Sequence, residues 1–225
     1  MTALDSLRLA EHGAQLFPAA ASADLDALRE ILARLPPDQA GIRIHGVEAL
    51  RPFLEPNGTI GFLACKAIGA SAKPVRAILF DKSATTNWAL GWHQDRTICV
   101  RDQVEMAGFG PWSIKAGLHH VAPPFDLLFR MVTVRVHLDD VPTANAPLLI
   151  APGSHRRGRV PVEAVNLTVS ECGIVACVAR AGDVWAYSTP VLHASEAASH
   201  TAHRRVLQVD YSADDLPGGL EWLGV

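Results

Sequence analysis

A histidine and an aspartate two residues apart are the first sign of chemistry in this chain. In Gly91-Trp92-His93-Gln94-Asp95 they fall at alternate positions of a β-rich run, so a strand there sends both side chains to one face. One strand would thus supply two adjacent positions around a metal ion. A third ligand must come from another segment, and Val191-Leu192-His193-Ala194-Ser195 offers a histidine just after the strand and turn expected around Val184 to Pro190. Two histidines and a carboxylate on one octahedral face leave three positions open, the arrangement that suits the non-haem iron of oxygenases.

His-x-Asp alone arises by chance in many proteins, and the downstream residues give it weight. Arg204 lies eleven residues after His193 and opens the β-rich run Arg205 to Tyr211. An arginine there could take the distal carboxylate of 2-oxoglutarate in a planar two-bond fork while the other end of the keto acid chelates the metal. Arg205 follows directly, and Arg204 is the favoured candidate of the two. His120, Trp92 and Trp185 are candidates for substrate contact, the two tryptophans because they stand near the expected ligands.

These residues need a scaffold. From Val75 onward the texture is short β-rich runs: Val75–Phe80, Trp88–Val100, Met131–Leu138, Pro147–Ala151, Ile174–Val178, Val184–Tyr187 and Val206–Tyr211. Gly, Pro, Asp and Asn clusters separate them, which predicts an all-β barrel or two-sheet jelly roll. Before them the chain reads as mainly helical. Leu4, Leu7 and Leu9 suggest a short helix ending near Gly13, and a possible strand covers Gln15 to Phe17. Leu25, Leu28, Leu32 and Leu35 form one face of a helix from about Ala23, stopped by Pro36-Pro37. Val47–Leu54 and Ile60–Ile68 read as further helices. The stretch Arg101–Phe125, rich in Gly and Pro, is long for a connecting loop and is expected to be a lid or binding element.

Composition bounds the rest. At 225 residues the chain suits one domain, 1–225, with a helical part to about residue 72 and a β core over about 73–215. Hydrophobic residues at 49% and charged ones at 19% exclude a disordered chain. A formal net charge of -3 with no long basic run argues against nucleic acid as a partner. Apolar stretches are interrupted before the roughly 20 residues of a membrane span, and Asp5, Arg8 and Glu11 stand where a secretory signal would be apolar. A cytoplasmic protein without a membrane partner is expected. The four cysteines form no Cys-x-x-Cys pair and read as reduced packing residues.

Taken in order, Arg76-Ala77-Ile78-Leu79-Phe80-Asp81-Lys82, Asn87-Trp88, Trp92-His93-Gln94-Asp95, Pro152-Gly153-Ser154-His155, Gly182-Asp183, His193-Ala194-Ser195 and Arg204 resemble the phytanoyl-CoA dioxygenase family of 2-oxoglutarate oxygenases. The resemblance spans about residues 75 to 211. It implies a double-stranded β-helix, with Fe(II) on His93, Asp95 and His193. It also implies 2-oxoglutarate on Arg204 with a hydrogen bond from Ser195, and release of succinate and carbon dioxide as O2 oxidises a small-molecule substrate. Related halogenases have a small residue in place of the carboxylate, so the retained Asp95 points to hydroxylation or another oxidation. Ala146 stands in Asn145-Ala146-Pro147 where relatives commonly carry glycine. The alternatives are a non-catalytic metal-binding β-barrel module and a cupin-like metalloenzyme that does not use 2-oxoglutarate.

Overall fold

Alternation along the last long strand decides the architecture. From Arg204 to Asp210 the even-numbered side chains are mostly polar, whereas Leu207 and Val209 are apolar, so the two faces of this strand must meet different surroundings. The computed structural model describes residues 4, 6–36, 39–83, 85–199 and 203–225.

In chain order, helix α1 (Leu9–His12) ends at Gly13 in the left-handed region and leads into strand β1 (Ala14–Phe17). Helix α2 (Leu25–Leu32), strand β2 (Gly41–Ile44), and helices α3 (Arg51–Leu54) and α4 (Thr59–Ile68) follow. Then come β3 (Lys73–Lys82), β4 (Leu90–His93), β5 (Ile98–Val100), β6 (Trp112–Lys115), β7 (Leu118–Val121), helix α5 (Phe125–Phe129) and β8 (Val132–His137). The chain continues through β9 (Leu148–Ile150), helix α6 (Val165–Cys172), β10 (Val175–Cys177), β11 (Val184–Ser188), β12 (His193–Ser195) and β13 (Arg204–Ser212).

Two antiparallel sheets carry the fold, a six-stranded one in the order β1-β11-β8-β13-β3-β2 and a four-stranded one in the order β10-β9-β12-β4. This is the expected jelly roll. The outer face of the large sheet, with Ala77, Leu79, Val134, Val136, Leu207 and Val209, is buried against Leu28 and Leu32 of α2, Leu54 of α3 and Ile60 and Leu63 of α4. Removing this apolar surface from water is the main favourable term holding helices to sheet. Between the sheets, Leu148, Ile150 and Cys177 pack on Ala14, Trp185 and Tyr187. The rest of the inner face carries most of the buried polar side chains, with Ile78 and Phe80 among them, and forms the site.

Tyr211 ties the two layers together. Its buried hydroxyl donates to the Leu54 carbonyl at 3.0 Å, one of the carbonyls left without an intrahelical partner at the end of α3. Tyr211→Phe is expected to cost about 1 kcal/mol of stability, readable as a lower urea midpoint at unchanged slope.

The structure departs from the sequence reading in several places. The strand expected over Gln15–Phe17 is present as β1, but the first third is less helical than expected because β2 also joins the large sheet; β2 pairs with the long edge of β3, a non-local contact that four residues do not announce. The run Trp88–Val100 is two strands, with Asp95 in the connection between them. The stretch Arg101–Phe125 is not one loop, since it contains the β6–β7 hairpin. Its two-residue turn is Ala116-Gly117, both at positive φ (51° and 77°), and the alanine hides a turn usually marked by Asn-Gly. Helix α6 buries Val165, Thr168 and Val169, spacing that its β-branched residues disguise. Of the residues used in the sequence reading, Asp5 and Pro37 lie outside the described ones.

Candidate metal centre

His93 closes β4 and His193 opens β12, and the two are directly paired across the strands with ring centroids 4.2 Å apart. Each ring is fixed from behind in the same way. Nδ1 of His93 lies 2.8 Å from the Gly91 carbonyl, and Nδ1 of His193 lies 3.0 Å from the Val191 carbonyl. A carbonyl can only accept, so both Nδ1 atoms carry the hydrogen and both Nε2 atoms keep a free lone pair, the tautomer a metal ligand needs. Burial, the first cause, pulls His193 down to about 4, with His93 adding to that and Asp95 opposing it; at neutral pH the ring is uncharged.

Asp95 completes the group: one ligand atom from each of His93, Asp95 and His193 lies within 4.8 Å of the other two. Asp95 is not on the strand as expected but just past its end, and proximity comes from the bend of the chain rather than from alternation. Burial would push its carboxyl up, yet Arg76, the two histidines and Arg135 together hold it below its ordinary value, so it is ionised. Arg76 reaches Asp95 at 3.7 Å and Asp210 at 2.5 Å. The donor set, two imidazoles and one carboxylate converging on one point, fits a divalent metal with open positions.

Gln94, between two of these residues, faces the other way and locks the bend. Its amide donates to the Gly158 carbonyl at 3.0 Å and the Pro190 carbonyl at 2.8 Å, and accepts from the Val160 N–H at 2.9 Å. Ser154 of the Pro-Gly-Ser-His turn accepts from the Leu192 N–H at 2.9 Å. Both chain segments that deliver the histidines are therefore pinned by buried hydrogen bonds.

The three groups open on a cavity of about 380 Å³ between the sheets. Its far wall holds Arg135 and Arg204, and Lys82 stands just behind it against the lining residues Ser195 and Trp88; all three cations are buried. Lys82 stands opposite Arg204 in the β3–β13 pairing and donates to Ser195 Oγ at 3.0 Å and the Glu196 carbonyl at 2.5 Å. Arg135 donates to Gln208 at 2.9 Å and lies over the Phe80 ring. Arg204 donates to the carbonyl of Ala146, an alanine in the left-handed conformation (φ 47°) that glycine would adopt without strain. The Nε atoms of Arg135 and Arg204 are buried without a partner among the described residues. None of the three cations meets a carboxylate there. Burial, then Arg204 and Arg135, takes Lys82 down to about 8; burial and Arg135 lower Arg204 from its ordinary value.

The neighbouring arginine is spent elsewhere. Arg205 points to the other face and forks Asp139 at 2.9 and 2.7 Å, so of the two arginines it is Arg204 that lines the cavity.

Other expected contacts are not made. Trp185 is core, 1% exposed, its indole donating to the Val178 carbonyl at 3.1 Å. Trp92, next to His93 and hence on the opposite face, packs with Ala151, Val160, Val165 and Leu192. His120 is buried on β7 opposite Cys99, outside the cavity lining, and its Nε2 has no partner among the described residues. Trp88 lines the cavity instead, under Lys82 at 4.8 Å. Lys82 itself is the functional candidate the sequence reading missed; it stands in a quoted stretch, but only its pairing with Arg204 gives it a role. His200 lies outside the described residues.

The sequence profile of the phytanoyl-CoA dioxygenase family matches residues 62–206. No curated protein sequence matches the chain. Among solved structures, EctD from S. alaskensis in its apo form is 17% identical over all of this chain and 81% of its own, with a TM-score of 0.65. The epimerase SnoN, in complex with Fe3+, alpha ketoglutarate and nogalamycin RO, is 16% identical over 94% of this chain and 88% of its own (TM-score 0.60). HygX from Streptomyces hygroscopicus, with nickel and 2-oxoglutarate bound, is 14% identical over 94% and 87% (TM-score 0.57). At these identities the likeness is one of fold.

Proposed function

The chain belongs to the phytanoyl-CoA dioxygenase family, and on that premise we propose that it hydroxylates a small molecule with O2, using Fe(II) on His93, Asp95 and His193 and 2-oxoglutarate on Arg204. It is an Fe(II)- and 2-oxoglutarate-dependent oxygenase. The observation that carries the site assignment is the pairing, across one cavity, of a two-histidine, one-aspartate cluster with buried cations that have no carboxylate of their own. A buried charge without a counter-charge is costly. An anionic co-substrate removes that cost.

When bound, Fe(II) and 2-oxoglutarate supply the oxidising chemistry, in which the keto acid is converted to succinate and carbon dioxide as O2 is consumed. The protein's part is placement. Gly91 and Val191 hold the two imidazoles in the ligating tautomer, Arg76 keeps Asp95 ionised, and Gln94 fixes the bend between them. Arg204 offers its fork to the distal carboxylate, with Lys82 beside it and Ser195 held in place by Lys82. Ile78, Phe80 and Leu148 give the cavity apolar walls that exclude water. The four cysteines are free thiols, in keeping with the reducing cytoplasm, and no helix among the described residues is long and apolar enough to cross a membrane.

The test is an anaerobic titration of metal-free protein with Fe(II) and then 2-oxoglutarate, read through the weak visible charge-transfer band of the chelated keto acid. A band that requires all three ligands is the expected result. Bound Fe(II) with no band would overturn the assignment and favour the metal-binding module or the enzyme that does without 2-oxoglutarate.

Lys82, which reaches the cavity through its hydrogen bond to Ser195, is expected to make the co-substrate step pH-dependent. With its pKa lowered to about 8, the ammonium is present below that pH and lost above it. The KM for 2-oxoglutarate is therefore expected to rise roughly tenfold between about pH 7 and pH 9.5. Lys82→Met should show the high KM at every pH, with the profile flattened.

A further inference from the structure

The cavity carries more positive charge than the metal and co-substrate account for. Five lysine and arginine side chains line it, Arg43, Arg76, Lys115, Arg135 and Arg204, against the single carboxylate of Asp95. Asp210 answers Arg76 from behind, and the charges of Fe(II) and 2-oxoglutarate cancel each other. An excess of positive charge remains in a chain whose formal net charge is -3.

Part of that excess lies where 2-oxoglutarate on Arg204 does not reach. Arg43 on β2 stands opposite Ile78 on β3, which stands opposite Gln208 on β13, itself opposite Arg135 on β8. Arg43 is thus three strands from Arg135, roughly 14 Å at ordinary strand spacing. Arg204 is opposite Lys82, four residues along β3 from Ile78 and hence roughly 13 Å further along the strand direction. Arg43 Nε is buried and has no partner, and the described residues offer Arg43 no ion pair. Lys115 comes to the same end of the cavity from the tip of the β6–β7 hairpin; burial, then Arg76 and Arg43, lowers its pKa. It too has no carboxylate partner among the described residues. The wall between these two cations and Phe80 is apolar, through Ile78.

We propose that Arg43 and Lys115 form the recognition point for the oxidised substrate, and that this substrate is a small molecule with an apolar body and one oxyanionic group, carboxylate or phosphate. The proposal rests on the oxygenase reading of the same cavity. An arginine fork and a lysine point charge suit either oxyanion, and the apolar body then lies over Ile78 and Phe80 toward the metal cluster.

The test uses three probes with one alkyl body, hexanoate, hexyl phosphate and 1-hexanol, titrated calorimetrically into anaerobic protein loaded with Fe(II) and 2-oxoglutarate. At least one of the two anions is expected to bind about tenfold or more tightly than the alcohol; which one does so distinguishes carboxylate from phosphate. Arg43→Gln and, independently, the exposed Lys115→Gln should weaken the anion about tenfold, leaving the alcohol and the 2-oxoglutarate band unchanged. Anion and alcohol binding alike, no anion binding at millimolar concentration, or anion binding indifferent to both substitutions would overturn the proposal while the oxygenase reading stands. If instead the 2-oxoglutarate band fails to form and the anion still binds through Arg43, the oxygenase reading falls and the anion site stands.

Discussion

Asp95→Ala is expected to abolish 2-oxoglutarate turnover and to weaken Fe(II) binding by on the order of 100-fold or more, given that even the outer partners of metal ligands are worth 10- to 100-fold. The fold is expected to survive. Asp95 is one of two carboxylates on Arg76, and the other, Asp210, holds the guanidinium at 2.5 Å and is itself bonded by Thr133 at 3.0 Å. Removing Asp95 therefore leaves no buried arginine without a counter-charge. The check is a metal titration beside a urea denaturation: lost iron with an unchanged midpoint is the expected pair. A collapsed midpoint would mean that Asp95 holds the fold rather than the metal.

Arg204→Met separates function from stability in the opposite sense. Loss of a charge-assisted fork is expected to raise the KM for 2-oxoglutarate about 100-fold. The same substitution should raise the melting temperature of the ligand-free protein by about 2–4 °C, corresponding to about 1 kcal/mol for a chain of this length. The sign follows from the pKa: Arg204 is held below its ordinary value, so its charged form is the one folding penalises. Methionine fills similar volume with no charge to bury. Arg205→Met is the comparison: it breaks the fork to Asp139 on the other face and should leave 2-oxoglutarate affinity unchanged. A melting temperature that falls with Arg204→Met would show that its bond to the Ala146 carbonyl outweighs the cost of its burial.

The sequence made His93, Asp95, His193 and Arg204 legible because each is chemically specific and lies beside a recognisable β-rich run. The jelly roll was legible for the same reason, through short runs and their turn residues. What escaped depends on pairings distant in sequence. Lys82 gains a role only when β3 is set against β13, and Arg43 and Lys115 only when β2 and the β6–β7 hairpin are placed around the cavity. The Ala116-Gly117 turn escaped because an alanine occupies a left-handed position that local signals assign to Asn or Gly. Trp92 and Trp185 went astray for a simpler reason. On a strand, the residue next to a ligand faces away from it, and a residue on a neighbouring strand joins the site only if its row reaches that far.

The two halves of the site belong to different sheets. Two of the three candidate ligands come from the four-stranded sheet and the third from the chain just beyond it, whereas Arg135 and Arg204, and Lys82 behind them, come from the six-stranded one. Leu148, Ile150 and Tyr187 pack between them, and facing sheets keep a separation of about 10 Å. On the proposed assignment the sandwich is a calliper, with one jaw to chelate and one to grip a carboxylate. On that assignment an acid would close the jaws only if its carbon chain had the right length, and repacking the apolar residues between the sheets would change which acid fits without altering a single polar group.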